Sequence, residues 1–207
     1  MRLLPLIATI TLTAMPVSAE ESLFRKVSVL NLVTLDIPKH WKIRDENDRK
    51  NVAASAESRF NTTGHVASLS VVSLPEPSGG IIRVSFVESA GVNQQIFSAE
   101  VKRDKAFVKK ELEELLVDEF RDLRRSFEKQ GMRLLNGPDV EIINLSQKLG
   151  FALVYRRSGA NENGAYIVTQ FHVPLDRKKA IITLSYREHD QQIYRPIIQK
   201  VRNSIRF

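Results

Sequence analysis

The stretch that decides the fold, residues 104–131, reads DKAFVKKELEELLVDEFRDLRRSFEKQG. Its apolar residues recur at steps of three and four, the period of one helix face, while the opposite face is charged. The apolar set is Val108, Leu112, Leu115, Leu116, Phe120, Leu123 and Phe127. Asp104 can cap the start, and Gly131 can take the left-handed conformation that ends a helix. The pattern predicts one long amphipathic helix that must cover a sheet.

Strand-like segments lie on both sides of this helix. They are predicted at 28–37, 41–43, 53–60, 66–74, 82–86, 140–146, 151–155, 165–173 and 180–186. Residues 21–27 read as a lead-in, 44–50 as a solvated loop and 136–138 as a turn. Short polar connections join the last strands, which predicts a meander. A second amphipathic helix closes the chain, with Pro196 in its first turn. The predicted class is α+β, an antiparallel β-sheet flanked by helices.

Composition limits the classes of protein that remain. The chain has 207 residues, 43% of them hydrophobic, and a net charge of +7, which is typical of one soluble domain with a continuous core. It contains no cysteine. This excludes a disulfide framework, a thiol nucleophile, a thiolate metal site and a lipid-modified cysteine.

The first nineteen residues, MRLLPLIATITLTAMPVSA, match a secretory signal with cleavage after Ala19. An uncleaved anchor is the alternative, but the apolar run is shorter than the ~20 residues that span a bilayer. Cleavage would leave residues 20–207 as a single domain, soluble and without stable membrane insertion. Because an exported chain of this size without disulfides fits a bacterial periplasm, the expected localisation is periplasmic.

Several short segments together resemble the PsbP-like fold superfamily. They are Asp36-Ile37-Pro38 with Trp41, the long central helix, Tyr155-Arg156-Arg157-Ser158-Gly159, Leu184-Ser185-Tyr186, Tyr194-Arg195-Pro196 and Asn203-Ser204-Ile205. The superfamily includes the photosystem subunit PsbP, the Ran-binding Mog proteins and bacterial DcrB-like exported proteins. The resemblance implies an α-β-α sandwich and a binding or accessory role, with no shared active site. DcrB-like proteins are often lipid-anchored, and the lack of cysteine departs from that branch.

Motifs for common chemistries are absent from the sequence. There is no serine-nucleophile elbow, phosphate loop, dinucleotide fingerprint or zinc-protease helix. His40, His65, His172 and His189 are scattered, so neither a metal nor another cofactor is predicted. The nearest candidate is Glu188-His189-Asp190, which is better interpreted as Asp190 capping the last helix.

Basic residues cluster along the helix and at strand ends. The clusters are Lys102-Arg103-Asp104-Lys105, Lys109-Lys110, Arg121 with Arg124-Arg125, Arg156-Arg157 and Arg177-Lys178-Lys179. They could contact an anionic surface such as lipid head groups or an acidic partner. Solvated helix faces with internal ion pairs explain them better, because Asp118 and Asp122 lie three positions before arginines. Nucleic acid is not expected, since no aromatic residues interleave with the basic ones.

These observations lead to a binding protein rather than an enzyme. Arg156 and Arg157 continue the predicted strand that begins at 151, so one side chain could point into a groove. Solubility of a hairpin end explains the pair about as well. Trp41, Tyr155 and Tyr186 are the candidate lining of a pocket between sheet and helix. The first hypothesis is a periplasmic accessory protein without catalytic activity that binds an envelope protein through a sheet edge or groove. The alternative is a carrier of a small apolar or anionic ligand, and an enzyme comes third.

Overall fold

A computed structural model describes residues 23–50, 68–74, 79–88, 93–159 and 164–207. The strands are β1 (Phe24–Val29), β2 (Val33–Pro38), β3 (Lys42–Ile43), β4 (Leu69–Val72), β5 (Gly80–Glu88), β6 (Leu134–Leu145), β7 (Lys148–Ser158), β8 (Ala165–Pro174) and β9 (Lys178–Arg187). The helices are α1 (Gln94–Arg103), α2 (Lys105–Leu115), α3 (Val117–Glu128) and α4 (Gln191–Ser204). Residues 46–50 are also helical. The predicted signal sequence and the predicted strand at 53–60 lie outside the described residues.

The central sheet has seven strands in the order β3-β4-β5-β9-β8-β7-β6, and every neighbouring pair is antiparallel. Strands β6 to β9 follow one another through the sheet, which confirms the predicted meander. Strands β1 and β2 form a separate two-stranded sheet. Because side chains alternate along each strand, the register assigns every residue to one of two faces.

One face of the sheet, called the hairpin face, is covered by the β1–β2 hairpin and by α4. Its core includes Ile82, Ile182 and Leu184 from the sheet, packed against Leu35 and Val201. Trp41 belongs to the same cluster and is only 2% exposed. Removal of this apolar surface from water stabilises the hairpin on a sheet with which it shares no strand pairing.

The opposite face, called the helix face, is covered by α1, α2 and α3. Phe151 and Leu153 of β7 pack there against Phe97 and Val108, while Leu123 belongs to a further cluster over β7 and β8. The sheet therefore lies between helices on both sides. This confirms the predicted α+β class and the α-β-α arrangement.

The predicted long helix is divided at Leu116. Leu116 has φ −90° and ψ 0°, which ends α2. The break turns Leu116 toward the sheet and leaves Leu115 73% exposed, so the prediction that Leu115 is buried was wrong. Both ends are as predicted: Asp104 accepts the N–H of Phe107 at 2.9 Å, and Gly131 has a φ of +64°. Phe120 of α3 still packs in the cluster of Val108, whereas Leu123 and Phe127 pack in a further cluster.

Other boundaries also differ from the prediction. The predicted strand at 28–37 is a hairpin whose turn contains Leu30 and Asn31 at positive φ, and part of the supposed lead-in is β1. The predicted turn at 136–138 lies inside β6, where the pairing register shifts. The predicted loop 44–50 is helical from residue 46. Pro196 lies in the second turn of α4, because that helix begins at Gln191.

In the described ranges of the chain, no helix is long and apolar enough to cross a bilayer.

Candidate functional site

The candidate site lies at the end of the sheet where β7, β8 and β9 come together. In register, Arg156 pairs with Ile167 of β8, while Arg157 pairs with Tyr166, which in turn pairs with Arg187 of β9. Consecutive residues of β7 point to opposite faces. Arg156 therefore emerges on the hairpin face and Arg157 on the helix face, as the sequence predicted for this pair.

On the helix face, the Arg157 guanidinium is half-buried and lies over an aromatic ring. Its Cζ is 4.7 Å from the centroid of Tyr166, and Nη1 donates to the carbonyl of Ser158 at 2.9 Å and approaches Met132 Sδ at 3.5 Å. Burial lowers the pKa of Arg157, although the neighbouring tyrosines act in the opposite direction. Within the described residues, no carboxylate forms an ion pair with it.

The neighbouring arginines differ from Arg157 because each has an acidic partner. Arg156 Nη2 lies 2.6 Å from Glu188 Oε2, and Arg187 Nη1 lies 3.5 Å from Asp190 Oδ2. A hydrogen bond with Tyr166 also raises the pKa of Arg187. Asp190 stands at the N-cap position of α4, but its side chain makes no capping bond. The prediction that Asp190 caps this helix was therefore wrong, because Arg187 engages the carboxylate instead.

The predicted aromatic residues do not meet in one pocket. Tyr155 is buried on the helix face, with its ring 6.1 Å from that of Phe127. Trp41 and Tyr186 belong to the hairpin face, where Trp41 meets Tyr194 edge-on at 6.0 Å. The sheet itself separates Tyr155 from the other two. The three rings fill cores on opposite faces, so they cannot line a common cavity.

The histidines of the described residues form no metal-binding group either. His172 is buried, stacks on Phe151 at 4.6 Å and places Nε2 2.9 Å from Gln170 Oε1. Burial, reinforced by the charge of Lys179, lowers its pKa from 6.5 to about 3. His65 lies outside the described residues. In the described part of the chain, no group of three or more His, Asp or Glu side chains is placed to hold a metal ion.

Most basic residues on α2 and α3 lie beside carboxylates on the same helix. The ion pairs are Lys109–Glu113 at 3.5 Å, Lys110–Glu114 at 3.6 Å, Arg121–Asp118 at 2.8 Å and Arg125–Asp122 at 3.6 Å. Such exposed pairs contribute little to stability, but they reduce the positive potential of the surface. The arrangement favours the interpretation as solvated helix faces over an anionic-surface patch.

Sequence reasoning missed Tyr166 and Arg187 at this site. Tyr166 follows the loop between β7 and β8, and Arg187 ends β9, so nothing local to either residue sets it apart. Only the register brings Tyr166 between two arginines. The one available signal for this site was the predicted meander, which can place an aromatic residue of one strand opposite an arginine of the next.

Comparisons with known proteins give structural likeness alone. No family model matches the chain, and no curated protein matches it. The solution structure of cyanobacterial PsbP (CyanoP) from Synechocystis sp. PCC 6803 has 11% identity and a TM-score of 0.49, over 91% of this chain and 95% of that one. A PsbP structure is thus among the proteins whose fold this chain resembles, as predicted.

Two further structures are similar. A protein from Bacteroides thetaiotaomicron VPI-5482 has 7% identity and a TM-score of 0.44; the match covers 89% of this chain, which spans about half, 48%, of that protein. PA94 from Pseudomonas aeruginosa, a protein of unknown function, has 15% identity and a TM-score of 0.37, over 87% of this chain and 94% of that one. At such identities the likeness concerns the fold, and the fold does not determine function.

Proposed function

We propose that the protein is an exported accessory protein of the periplasm that catalyses no reaction and binds another envelope protein. In this proposal, Arg157 receives a carboxylate of the partner. The observation that supports it is the contrast among the three arginines at the end of the sheet. Arg156 and Arg187 have acidic partners, whereas Arg157 is half-buried with a carbonyl, a sulfur atom and a ring around it.

A half-buried guanidinium without a counter-ion among the described residues favours binding of an anion. Part of its hydration is already lost in the folded protein, so an incoming carboxylate displaces less water than at an exposed arginine. The planar fork can donate two parallel hydrogen bonds to one carboxylate. Because Tyr166 and the Ser158 carbonyl hold the group in place, little side-chain entropy remains to be lost.

Export is supported by the N-terminal sequence. The arrangement of Arg2, the apolar run and the small residues before Glu20 is that of a secretory signal. Cell fractionation, followed by N-terminal sequencing, tests this part separately. Periplasmic protein beginning at Glu20 is the expected result. Cytoplasmic protein that retains Met1 would contradict export without affecting the site.

The anionic form of the carrier hypothesis is the one that the surroundings of Arg157 favour. An apolar ligand enclosed by Trp41, Tyr155 and Tyr186 is not supported, because those rings lie on opposite faces of the sheet. A small carboxylate or phosphate could use Arg157 in the same way as a partner protein. The test must therefore recover both kinds of ligand.

The experiment captures ligands from an envelope extract with wild-type protein, Arg157→Gln and Arg156→Gln. The last is the matched control: it removes the same charge from the adjacent residue on the opposite face. Proteins and small molecules are identified by mass spectrometry. We expect a protein retained by wild type and Arg156→Gln and lost with Arg157→Gln. A small anion with the same dependence would support the carrier, and retention of the ligand by the wild type and both variants would contradict the role of Arg157.

A further inference from the structure

The outer edge of β1 is a second surface, where the main-chain groups of Lys26 and Ser28 bond to no other described residue. Alternate residues of an antiparallel strand direct their N–H and C=O groups to opposite sides. Lys39 N–H donates to the Leu23 carbonyl at 2.9 Å, so the odd-numbered residues of β1 bond to β2. The N–H and C=O groups of the even-numbered residues, including Lys26 and Ser28, therefore point away from β2.

Hydrogen bonds at the opposite edge of this small sheet confirm that the even-numbered residues direct their main-chain groups outward. Thr34 and Asp36, which pair in register with Ser28 and Lys26, direct their main chain away from β1. There, Thr34 N–H donates to the Arg206 carbonyl at 2.9 Å and Asp36 N–H donates to Ser204 Oγ at 2.8 Å. The β2 edge is thus occupied by the end of the chain.

The β1 edge has no such cover from the described residues. Lys26 and Ser28 are exposed, and neither main chain bonds to another described residue on that side. Of the devices that oppose pairing at an edge, the strand has the charged side chain of Lys26 but no proline or bulge, and it contains no glycine. An extended segment could therefore bond to Lys26 and Ser28 as a third strand.

The surroundings of this edge are basic. Four basic residues near it form no ion pair with any described residue, in contrast to the paired lysines of α2. They are Arg25, Lys26, Lys39 and Lys200. Lys200 is held near the edge, because its Nζ lies 4.3 Å from the ring centroid of Phe24. Asp36 is the acidic residue that faces Lys26 in register, yet the two form no ion pair. Such a surface repels a second basic edge and attracts an acidic segment.

Exposed leucines flank the basic centre. Leu23 precedes the strand and is 74% exposed, while Leu30 follows it at 62%. Leu30 also has a φ of +52° in the hairpin turn, a conformation that is costly for a residue with a branched side chain. An incoming strand with apolar residues at its ends would cover both leucines. The surface therefore fits a segment that is acidic in the middle and apolar at its ends.

We infer that the outer edge of β1 binds an extended acidic segment of a partner protein, which joins β1 and β2 as a third strand. Main-chain bonds to Lys26 and Ser28 would supply affinity, and the basic side chains would select for acidic residues. A two-stranded sheet is marginal by itself, so a third strand would also stabilise the hairpin. This site lies apart from Arg157 and does not depend on the role proposed for that residue.

The probe is a capped seven-residue peptide with leucine at both ends, glutamate at the third and fifth positions and valine elsewhere. Its binding to the full chain is measured by fluorescence anisotropy, with a lysine-for-glutamate peptide as the charge control. We expect Lys26→Glu to weaken binding about tenfold or more. Lys102→Glu, the same charge change on an exposed part of α1, should leave binding unchanged. Ser28→Pro removes one outward N–H and should also weaken it.

Amide chemical shifts locate the peptide. Perturbations centred on Lys26 and Ser28 are expected, and Arg157→Gln should not alter them. Equal binding by Lys26→Glu, equal binding of the lysine peptide, or no binding to wild type would overturn the inference. So would a wild-type dimer in sedimentation that Ser28→Pro dissociates, because a second copy would then occupy the edge. If Ser28→Pro does not fold, Lys26→Glu and the chemical shifts still decide the question.

Discussion

The buried imidazole of His172 predicts a specific loss of stability in mild acid. Its ring stacks on Phe151 and contacts Gln170, and burial holds its pKa at about 3 instead of 6.5. In the unfolded chain the ring is solvated and has its ordinary pKa. Between pH 6.5 and pH 3, the unfolded state therefore binds a proton that the folded state does not.

The sign and size of the effect follow from this difference. Because protons bind preferentially to the unfolded state, stability falls as the pH is lowered through 6.5 and continues to fall toward 3. At pH 5, about 1.5 units below the unfolded pKa, the loss is about 2 kcal/mol relative to pH 8, at about 1.4 kcal/mol per unit. The charge of Lys179 acts in the same direction as burial.

The assay compares the free energy of unfolding in urea at pH 8, 7, 6 and 5 for wild type and His172→Gln. The substitution removes the titrating ring and leaves a polar group for Gln170. We expect its acid-induced loss to be smaller than that of wild type by about 2 kcal/mol. His189→Gln is the matched control, since it leaves the buried imidazole in place and should retain the wild-type loss. Equal losses in wild type and His172→Gln would refute the reasoning.

Two further predictions concern packing and helix capping. Gly80→Ala would place a methyl group into the ring of Trp41, so we expect a destabilisation of about 1–3 kcal/mol, measured by urea unfolding; unchanged stability would mean that the indole can shift. Asp104→Ala removes the carboxylate that accepts the N–H of Phe107, and we expect a loss of about 1 kcal/mol in the same assay. Asp104→Asn, which keeps a capping oxygen, should restore most of it; equal losses for both substitutions would contradict a capping role.

Local patterns in the sequence determined the class of the fold. The helical period at 104–131, its capping residues Asp104 and Gly131, and the alternation in β5 and β9 were each readable without coordinates. These features depend on residues within a few positions of one another, because the spacing of apolar residues along the chain follows the period of a helix or a strand. The same local reading placed Arg156 and Arg157 on opposite faces of a strand.

Only the tertiary structure decided which residues meet. Neither the hairpin turn at Leu30 and Asn31 nor the break at Leu116 was predicted, although asparagine is a residue type that tolerates the positive φ of a turn. Arg156 finds Glu188 32 positions away, whereas Arg157 finds no described carboxylate. Such pairings depend on the register between distant strands, because a shift of one residue would move each side chain of a strand to the opposite face of the sheet. The sequence thus determines which faces are buried, and the packing of distant elements decides which charges are left without a partner.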